Sequence, residues 1–111
     1  MNFSVNRISW TVIFVSPLSN ALIDRTGKRT LATTSPVERC VYISNNIYGN
    51  KLTKVIRHEL GHVIMVSYGL LPDIFKLVRD GDVIGVEEYI CNFNAEYGDE
   101  ITSITREILL S

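Results

Sequence analysis

Residues 50–68, Asn-Lys-Leu-Thr-Lys-Val-Ile-Arg-His-Glu-Leu-Gly-His-Val-Ile-Met-Val-Ser-Tyr, determine the expected architecture of this chain. Apolar side chains recur every three to four positions, which predicts one long amphipathic helix. The apolar stripe consists of Leu52, Val55, Ile56, Leu60, Val63 and Ile64. Asn50 is suited to cap the start of this helix, and Gly69, followed by Pro72, is suited to end it. The stripe predicts that the helix packs on a core.

This helix carries the motif His58-Glu59-Leu60-Gly61-His62. Helix positions four apart are offset by about 40°, so both imidazoles point to the same side, at the edge of the apolar stripe where a cleft could open. Their nitrogens can then reach one Zn²⁺ at about 2.0–2.1 Å, with Glu59 beside the open side of the metal. Shuffling this composition produces the pattern on the order of once in a thousand sequences. The motif predicts a zinc hydrolase site with Glu59 as the catalytic base; the alternative is two ordinary hydrogen-bonded histidines.

A third zinc ligand is needed, since catalytic zinc usually has three protein ligands and a water. No other histidine exists, so a carboxylate is expected. Glu88 is predicted as this ligand because Asn92 lies one turn further and could orient a ligating histidine. Glu87 is the alternative, and Glu96 and Glu100 fall later in the chain. For either residue alone, the ordinary interpretation is a solvent-facing carboxylate in the first turn of a helix.

Length and composition predict one globular domain spanning 1–111, since the chain has 111 residues and is 46% hydrophobic. The net charge is −1, but residues 1–57 carry eight Lys/Arg against two Asp/Glu, and 58–111 carry three against ten. Either both charge types mix on the folded surface, or a basic face lies beside an acidic half. Neither pattern demands nucleic acid. Nothing in the sequence indicates the oligomeric state.

Cys40 and Cys91 are the only cysteines, and neither belongs to a metal-binding spacing. Buried reduced thiols, typical of a cytoplasmic protein, are predicted, with a single disulfide as the alternative. Residues 8–15 loosely imitate a signal peptide, but their β-branched and aromatic side chains favour a core strand. No run approaches the ~20 apolar residues that span a bilayer, so no membrane segment is expected.

The remaining patterns place strands before helices, which predicts an α+β fold. Strands are predicted at 8–16, 31–35 and 39–44, the second of them at a sheet edge because Pro36 ends it. Residues 18–25 suit either a helical turn or a strand. Further helices are predicted at 73–78, capped by Asp73, and at 86–97 and 101–108, separated by a break at Gly98-Asp99. The expected fold is therefore an antiparallel or mixed sheet of about three strands, followed by the motif helix and further C-terminal helices.

Between Arg39 and Tyr97 the chain resembles the ImmA/IrrE-type zincin metallopeptidases, which are frequent in phages and mobile elements. The resemblance is carried by the segment Val41-Tyr42-Ile43-Ser44, by the segment from Lys54 to His62, and by Glu88-Tyr89-Ile90-Cys91-Asn92-Phe93-Asn94-Ala95. It implies a small zincin-like domain. It also implies His58 and His62 as zinc ligands, Glu59 as general base and a glutamate of the later helix as third ligand.

The expected activity is zinc-dependent hydrolysis of peptide bonds in an intracellular protein. A regulator of a phage or mobile element is one candidate for this substrate. Tyr68, Tyr89 and Tyr97 could donate to the developing oxyanion, or simply pack in the core. The strand Val41–Ser44 could hold an extended peptide by strand addition if it lies beside the motif helix with a free edge. The alternative function is a non-catalytic, metal-containing scaffold that binds a host or phage factor.

Overall fold

The polypeptide forms a mixed four-stranded sheet, and the computed structural model describes residues 1–111. The strands are β1 (Asn2–Val5), β2 (Ile8–Val15), β3 (Ala32–Ser35) and β4 (Cys40–Ser44). Their order is β1-β2-β4-β3, with β2 and β4 parallel and the two outer pairs antiparallel. The predicted strands at 8–16, 31–35 and 39–44 are confirmed, and β3 lies at the sheet edge as expected.

Strand β1 is the fourth strand, where about three were predicted. It forms a hairpin with β2 through the two residues Asn6 and Arg7, whose φ angles are both positive, at 50° and 65°. Tight hairpins need this backbone conformation and usually obtain it with Asn-Gly or Asp-Gly. Because arginine occupies the second position, the sequence contains no recognisable turn signal there. Residues 18–25 contain a short 3₁₀ turn at Asn20–Leu22, rather than a full helix or strand.

Three α-helices follow the sheet: α1 (Gly49–Ser67), α2 (Leu71–Asp80) and α3 (Val83–Leu110). Helix α1 begins one residue before the predicted cap Asn50, at Gly49, and its N-cap position is Tyr48 with no side-chain hydrogen bond. Helix α2 begins two residues before Asp73, so this carboxylate lies in the first turn instead of capping it. Gly69 has a φ of 67°, which confirms the predicted left-handed end of α1.

The C-terminal part of the chain is one continuous 28-residue helix, so the predicted break at Gly98-Asp99 is wrong. Asp82 caps its start by accepting a hydrogen bond from the Gly85 amide at 2.8 Å. Glycine inside a helix lowers stability by only about 0.5–1 kcal/mol relative to alanine. This is too little to interrupt a helix whose residues both before and after Gly98 pack against the core. Ile101, Ile104 and Ile108 of α3 are buried against α1 and the sheet.

The core lies between the sheet and the pair α1 and α3. Thirteen buried apolar residues form it, including Trp10 and Val12 of β2 and Leu60 and Val63 of α1. The Trp10 indole donates a hydrogen bond to the buried Ser67 hydroxyl at 2.9 Å, which attaches the end of α1 to β2. The predicted apolar stripe of α1 therefore does face the core.

No single helix is long and apolar enough to cross a membrane; α1 and α2 together would suffice by length and composition, but they meet at a bend of 94°. Cys40 and Cys91 do not form a disulfide, so the alternative of a single disulfide is not observed. Cys40 is half-buried and Cys91 is exposed, so the prediction that both thiols are buried is wrong for Cys91.

Candidate metal centre and active site

Helix α1 presents the motif residues to an open cleft. This cleft has a volume of about 1050 Å³ and lies between α1, the edge strand β3 and the loop that contains Asn20–Thr26. His58, Glu59 and His62 all line it. Because the apolar stripe of α1 is turned to the core, the histidines lie at its margin, as the sequence predicts. The His58 side chain is 71% exposed.

The two imidazoles are separated by a distance that suits a shared ion. Their ring centroids are 5.1 Å apart and the rings are inclined at 72°. Two imidazole nitrogens that each lie about 2.0–2.1 Å from one tetrahedral zinc place their ring centroids about 5 Å apart. The centroid separation of His58 and His62 is therefore compatible with two ligand positions of one zinc ion.

The environment of His62 favours its neutral form, which is the form that binds metals. Burial is the main factor that lowers the pKa of His62 below 6.5, and the charges of His58 and Arg25 act in the same direction. The nearby carboxylate of Glu59 opposes this shift. An unprotonated imidazole at neutral pH needs no proton release before it binds an ion.

Glu59 is the most buried acidic residue at the site, with 8% of its side chain exposed. One carboxylate oxygen, Oε1, accepts a hydrogen bond from the Thr34 hydroxyl of β3 at 2.9 Å. The other oxygen, Oε2, lies 3.9 Å from His58 Nε2. The carboxylate is thus held between the edge strand and the first histidine. Thr34 could not be identified from the sequence, since only the packing of α1 against β3 brings it to Glu59.

The structure does not bring a third ligand to this pair. Glu87 and Glu88 are both exposed on α3, and neither lines the cleft. Asn92 lines a separate cavity beside Tyr89. No group of three or more His, Cys, Asp or Glu side chains is placed to hold a metal ion. The cleft thus contains His58, Glu59 and His62 but not Glu88. The assignment of Glu88 as the third ligand stays a prediction.

Two other carboxylates line the cleft, but each already has hydrogen-bond partners. Asp24 Oδ1 accepts hydrogen bonds from the Thr26 amide and hydroxyl and from the Lys28 amide, at 2.8, 2.6 and 3.1 Å. The Thr26 hydroxyl is the main factor that lowers the pKa of Asp24. Glu38 accepts a hydrogen bond from the Tyr42 hydroxyl, and this bond is the main cause that raises the pKa of Tyr42 to about 12.

The tyrosines considered for oxyanion stabilisation lie elsewhere. The Tyr68 hydroxyl donates to the Glu100 carboxylate at 3.0 Å, and the Tyr89 hydroxyl is 3.5 Å from the Leu70 carbonyl. Tyr97 packs against the Tyr68 ring, with centroids 4.8 Å apart. None of the three lines the cleft, so packing, the other interpretation, describes them. Tyr42 is the tyrosine that does line it.

The strand predicted to hold a peptide is not free to do so. Strand β4, which contains Val41–Ser44, pairs with β2 on one side and β3 on the other. Both of its edges are used, so strand addition at β4 is excluded. The outer strands of the sheet are β1 and β3, and it is β3 whose residues Ala32, Thr33, Thr34 and Ser35 all line the cleft. The pairing of both edges of β4 depends on sheet order, so it could not be read from the segment Val41–Ser44 itself.

The chain matches no protein-family profile, no curated protein and no solved structure. The resemblance to ImmA/IrrE-type zincins therefore stays an expectation from the sequence. The site itself comprises two imidazoles with ring centroids 5.1 Å apart, a buried carboxylate beside the first of them, and the edge strand β3 along the same cleft.

Proposed function

We propose that this protein is a zinc-dependent peptidase whose active centre comprises His58, Glu59 and His62. The observation that carries the proposal is the position of Glu59. Its carboxylate is buried on the cleft wall, with one oxygen bonded to Thr34 and the other 3.9 Å from His58. Buried carboxylates are rare without a role or a partner. This one lies where it can exchange a proton with a molecule in the cleft.

In this proposal His58 and His62 would hold the ion, and Glu88, our predicted third ligand, would complete the protein ligands. Bound zinc would supply Lewis acidity, which would polarise a carbonyl and make water more acidic. Glu59 accepts a proton from the attacking water and delivers it to the amine nitrogen as the C–N bond breaks. Thr34 keeps the carboxylate aimed into the cleft during this transfer.

The substrate in this proposal is an extended peptide that adds to the free edge of β3. Backbone hydrogen bonds to an edge strand provide affinity with little dependence on side chains. Because Thr34 of β3 contacts Glu59 directly, a peptide on this edge passes close to the catalytic carboxylate. The resemblance to ImmA/IrrE-type enzymes adds an intracellular protein as the substrate, for which a regulator of a phage or mobile element is the candidate.

A second candidate function is a non-catalytic zincin scaffold that binds a host or phage factor. The exposed position of Glu87 and Glu88 favours it, since a two-histidine site lacks the third protein ligand of catalytic zinc. The presence of an intact Glu59 favours the peptidase, because a binding protein has little use for a base beside the metal.

The experiment that tests the peptidase combines metal analysis with a cleavage assay. Purified protein should contain about one zinc per chain, and H58A and H62A should lose it. E59Q should retain zinc but cleave no peptide, whereas the matched exposed variant E107Q should behave like the native protein. E88A tests the third ligand separately. Native protein without stoichiometric zinc would exclude both candidate functions, and zinc binding with E59Q equal to native protein in a cellular assay would favour the scaffold.

A further inference from the structure

The charged side chains that line the cleft differ in whether they have partners inside the protein. All three carboxylates there are engaged: Asp24 by Thr26 and Lys28, Glu38 by Tyr42, and Glu59 by Thr34. The cleft also contains two basic residues, Arg25 and Lys54. Neither makes an ion pair, and neither side chain donates a hydrogen bond within the chain, although both belong to the more basic half of the sequence.

The two cations lie in the same cleft as the imidazole pair. Lys54, His58 and His62 follow one another at four-residue intervals on α1, so they form a row with a rise of about 6 Å per step. Arg25 belongs to the loop that forms another wall of the cleft. A peptide that runs along the cleft past the histidines therefore passes both Lys54 and Arg25.

The loop that carries Arg25 is held rigidly. Three hydrogen bonds to Asp24 Oδ1 close the turn over residues 24–28, and Ile23 pairs with Arg29 at its base. The Arg29 guanidinium donates to the carbonyls of Pro17 and Ser19, both at 2.9 Å, which attaches the turn to the preceding segment. The backbone at Arg25 is therefore ordered before an anion binds, and only its exposed side chain has to be ordered on binding.

We infer that Arg25 and Lys54 form a subsite for acidic side chains, so that this cleft selects peptides carrying Asp or Glu near the reacting bond. The inference extends the proposed function, because it names the substrate class of the same site. Guanidinium and ammonium groups without internal partners are matched by carboxylates, and the engaged carboxylates of the cleft do not compete for them. With about 3.3 Å per extended residue, Lys54 lies roughly two residues from a bond held at His58. The acidic residue is therefore expected about two positions from the cleaved bond.

The test uses a degenerate decapeptide library and two readouts. In the first, zinc-loaded E59Q retains library peptides on a column, and the retained peptides are sequenced without any need for cleavage. We expect enrichment of Asp and Glu, reduced about two- to fivefold by each of R25E and K54E, as for an exposed ion pair. The double variant should enrich Lys and Arg instead. K28E and K51E make the same charge change on the same turn and the same helix but outside the cleft, and should retain the native preference.

In the second readout, native protein cleaves the same library and the cut sites are located by mass spectrometry. Acidic enrichment without any cleavage would support the subsite and overturn the peptidase. Cleavage without acidic enrichment, or with the same preference in the R25E/K54E double variant, would overturn the subsite and leave the peptidase intact. A single-stranded oligonucleotide that displaces the retained peptides at equal concentration would also overturn the assignment to acidic peptides.

Discussion

The Thr34 hydroxyl on the edge strand donates a hydrogen bond to the buried carboxylate of Glu59 on α1, at 2.9 Å. These residues are 25 positions apart in the sequence. Their contact connects β3, the proposed peptide-binding strand, with the carboxylate that is proposed to accept the proton. The bond has two consequences that can be measured separately. It contributes to the stability of the fold, and it sets the direction of the carboxylate.

Replacing Thr34 with valine should destabilise the protein by about 1–3 kcal/mol, because a buried carboxylate oxygen loses its donor. Thr34→Ser keeps the hydroxyl and should remain close to the native protein. Urea denaturation measures the difference, and the cleavage assay should show a lower kcat for Thr34→Val. Equal stability of the valine and serine variants would mean that the hydrogen bond contributes nothing.

Zinc should stabilise the native fold through the two histidines. At a zinc concentration one hundred times the dissociation constant, binding adds about 2.7 kcal/mol, which raises the melting temperature of a domain this size by roughly 10 °C or more. The increase should disappear in His58→Ala and His62→Ala and persist in Lys51→Ala. Thermal denaturation with and without a chelator measures it. An undiminished increase in both histidine variants would place the ion elsewhere.

The low pKa of His62 predicts how stability changes with pH in metal-free protein. The folded protein binds the His62 proton less readily than the unfolded chain, because burial disfavours the charged imidazole. Its contribution is therefore fully present above about pH 6.5 and declines as the pH falls below that value towards the folded pKa. Urea denaturation at pH 7.5 and pH 5 should show a smaller difference for His62→Gln than for native protein. A proton NMR titration in which the His62 ring protons titrate above 6.5 would contradict this.

The hydrogen bond between Trp10 and Ser67 predicts a loss of stability in Ser67→Ala. The indole N–H is buried and would lose its acceptor, at a cost of about 1–3 kcal/mol. Ser103→Ala, an exposed change on α3, should have no effect. The chain contains one tryptophan, so its fluorescence reports the same site during denaturation. An unchanged denaturation midpoint would show that this attachment of α1 to the sheet is dispensable.

The continuity of α3 predicts that Gly98→Ala stabilises the protein by about 0.5–1 kcal/mol. An added Cβ would have Asn94 Oδ1 as its nearest neighbour, at an ordinary 3.6 Å. Gly69→Ala is the control with the opposite sign, since its φ of 67° is unfavourable for alanine. Circular dichroism and urea denaturation measure both. A destabilising Gly98→Ala would indicate that the chain does turn at Gly98-Asp99.

The sequence by itself determined the elements that depend on neighbouring residues. The spacing of apolar positions predicts α1, its buried stripe and the common direction of His58 and His62. The β-branched runs predict β2 and β4, and Pro36 predicts an edge position for β3. These signals are local, because helix and strand periodicities repeat within a few residues. The prediction of a break at Gly98-Asp99 was wrong for the same reason, since a local helix breaker was opposed by packing on distant residues.

Only the tertiary structure decided which distant residues meet. The pairing of Thr34 with Glu59, the presence of Arg25 in the same cleft as His62 and the pairing of both edges of β4 depend on sheet order and on how α1 lies across the sheet. So does the exposure of Glu88, which the helix pattern alone placed near the histidines. A helix or strand period specifies which face of an element is apolar. It does not specify which side chains of other elements lie against its edge, because that is set by the packing of the whole core.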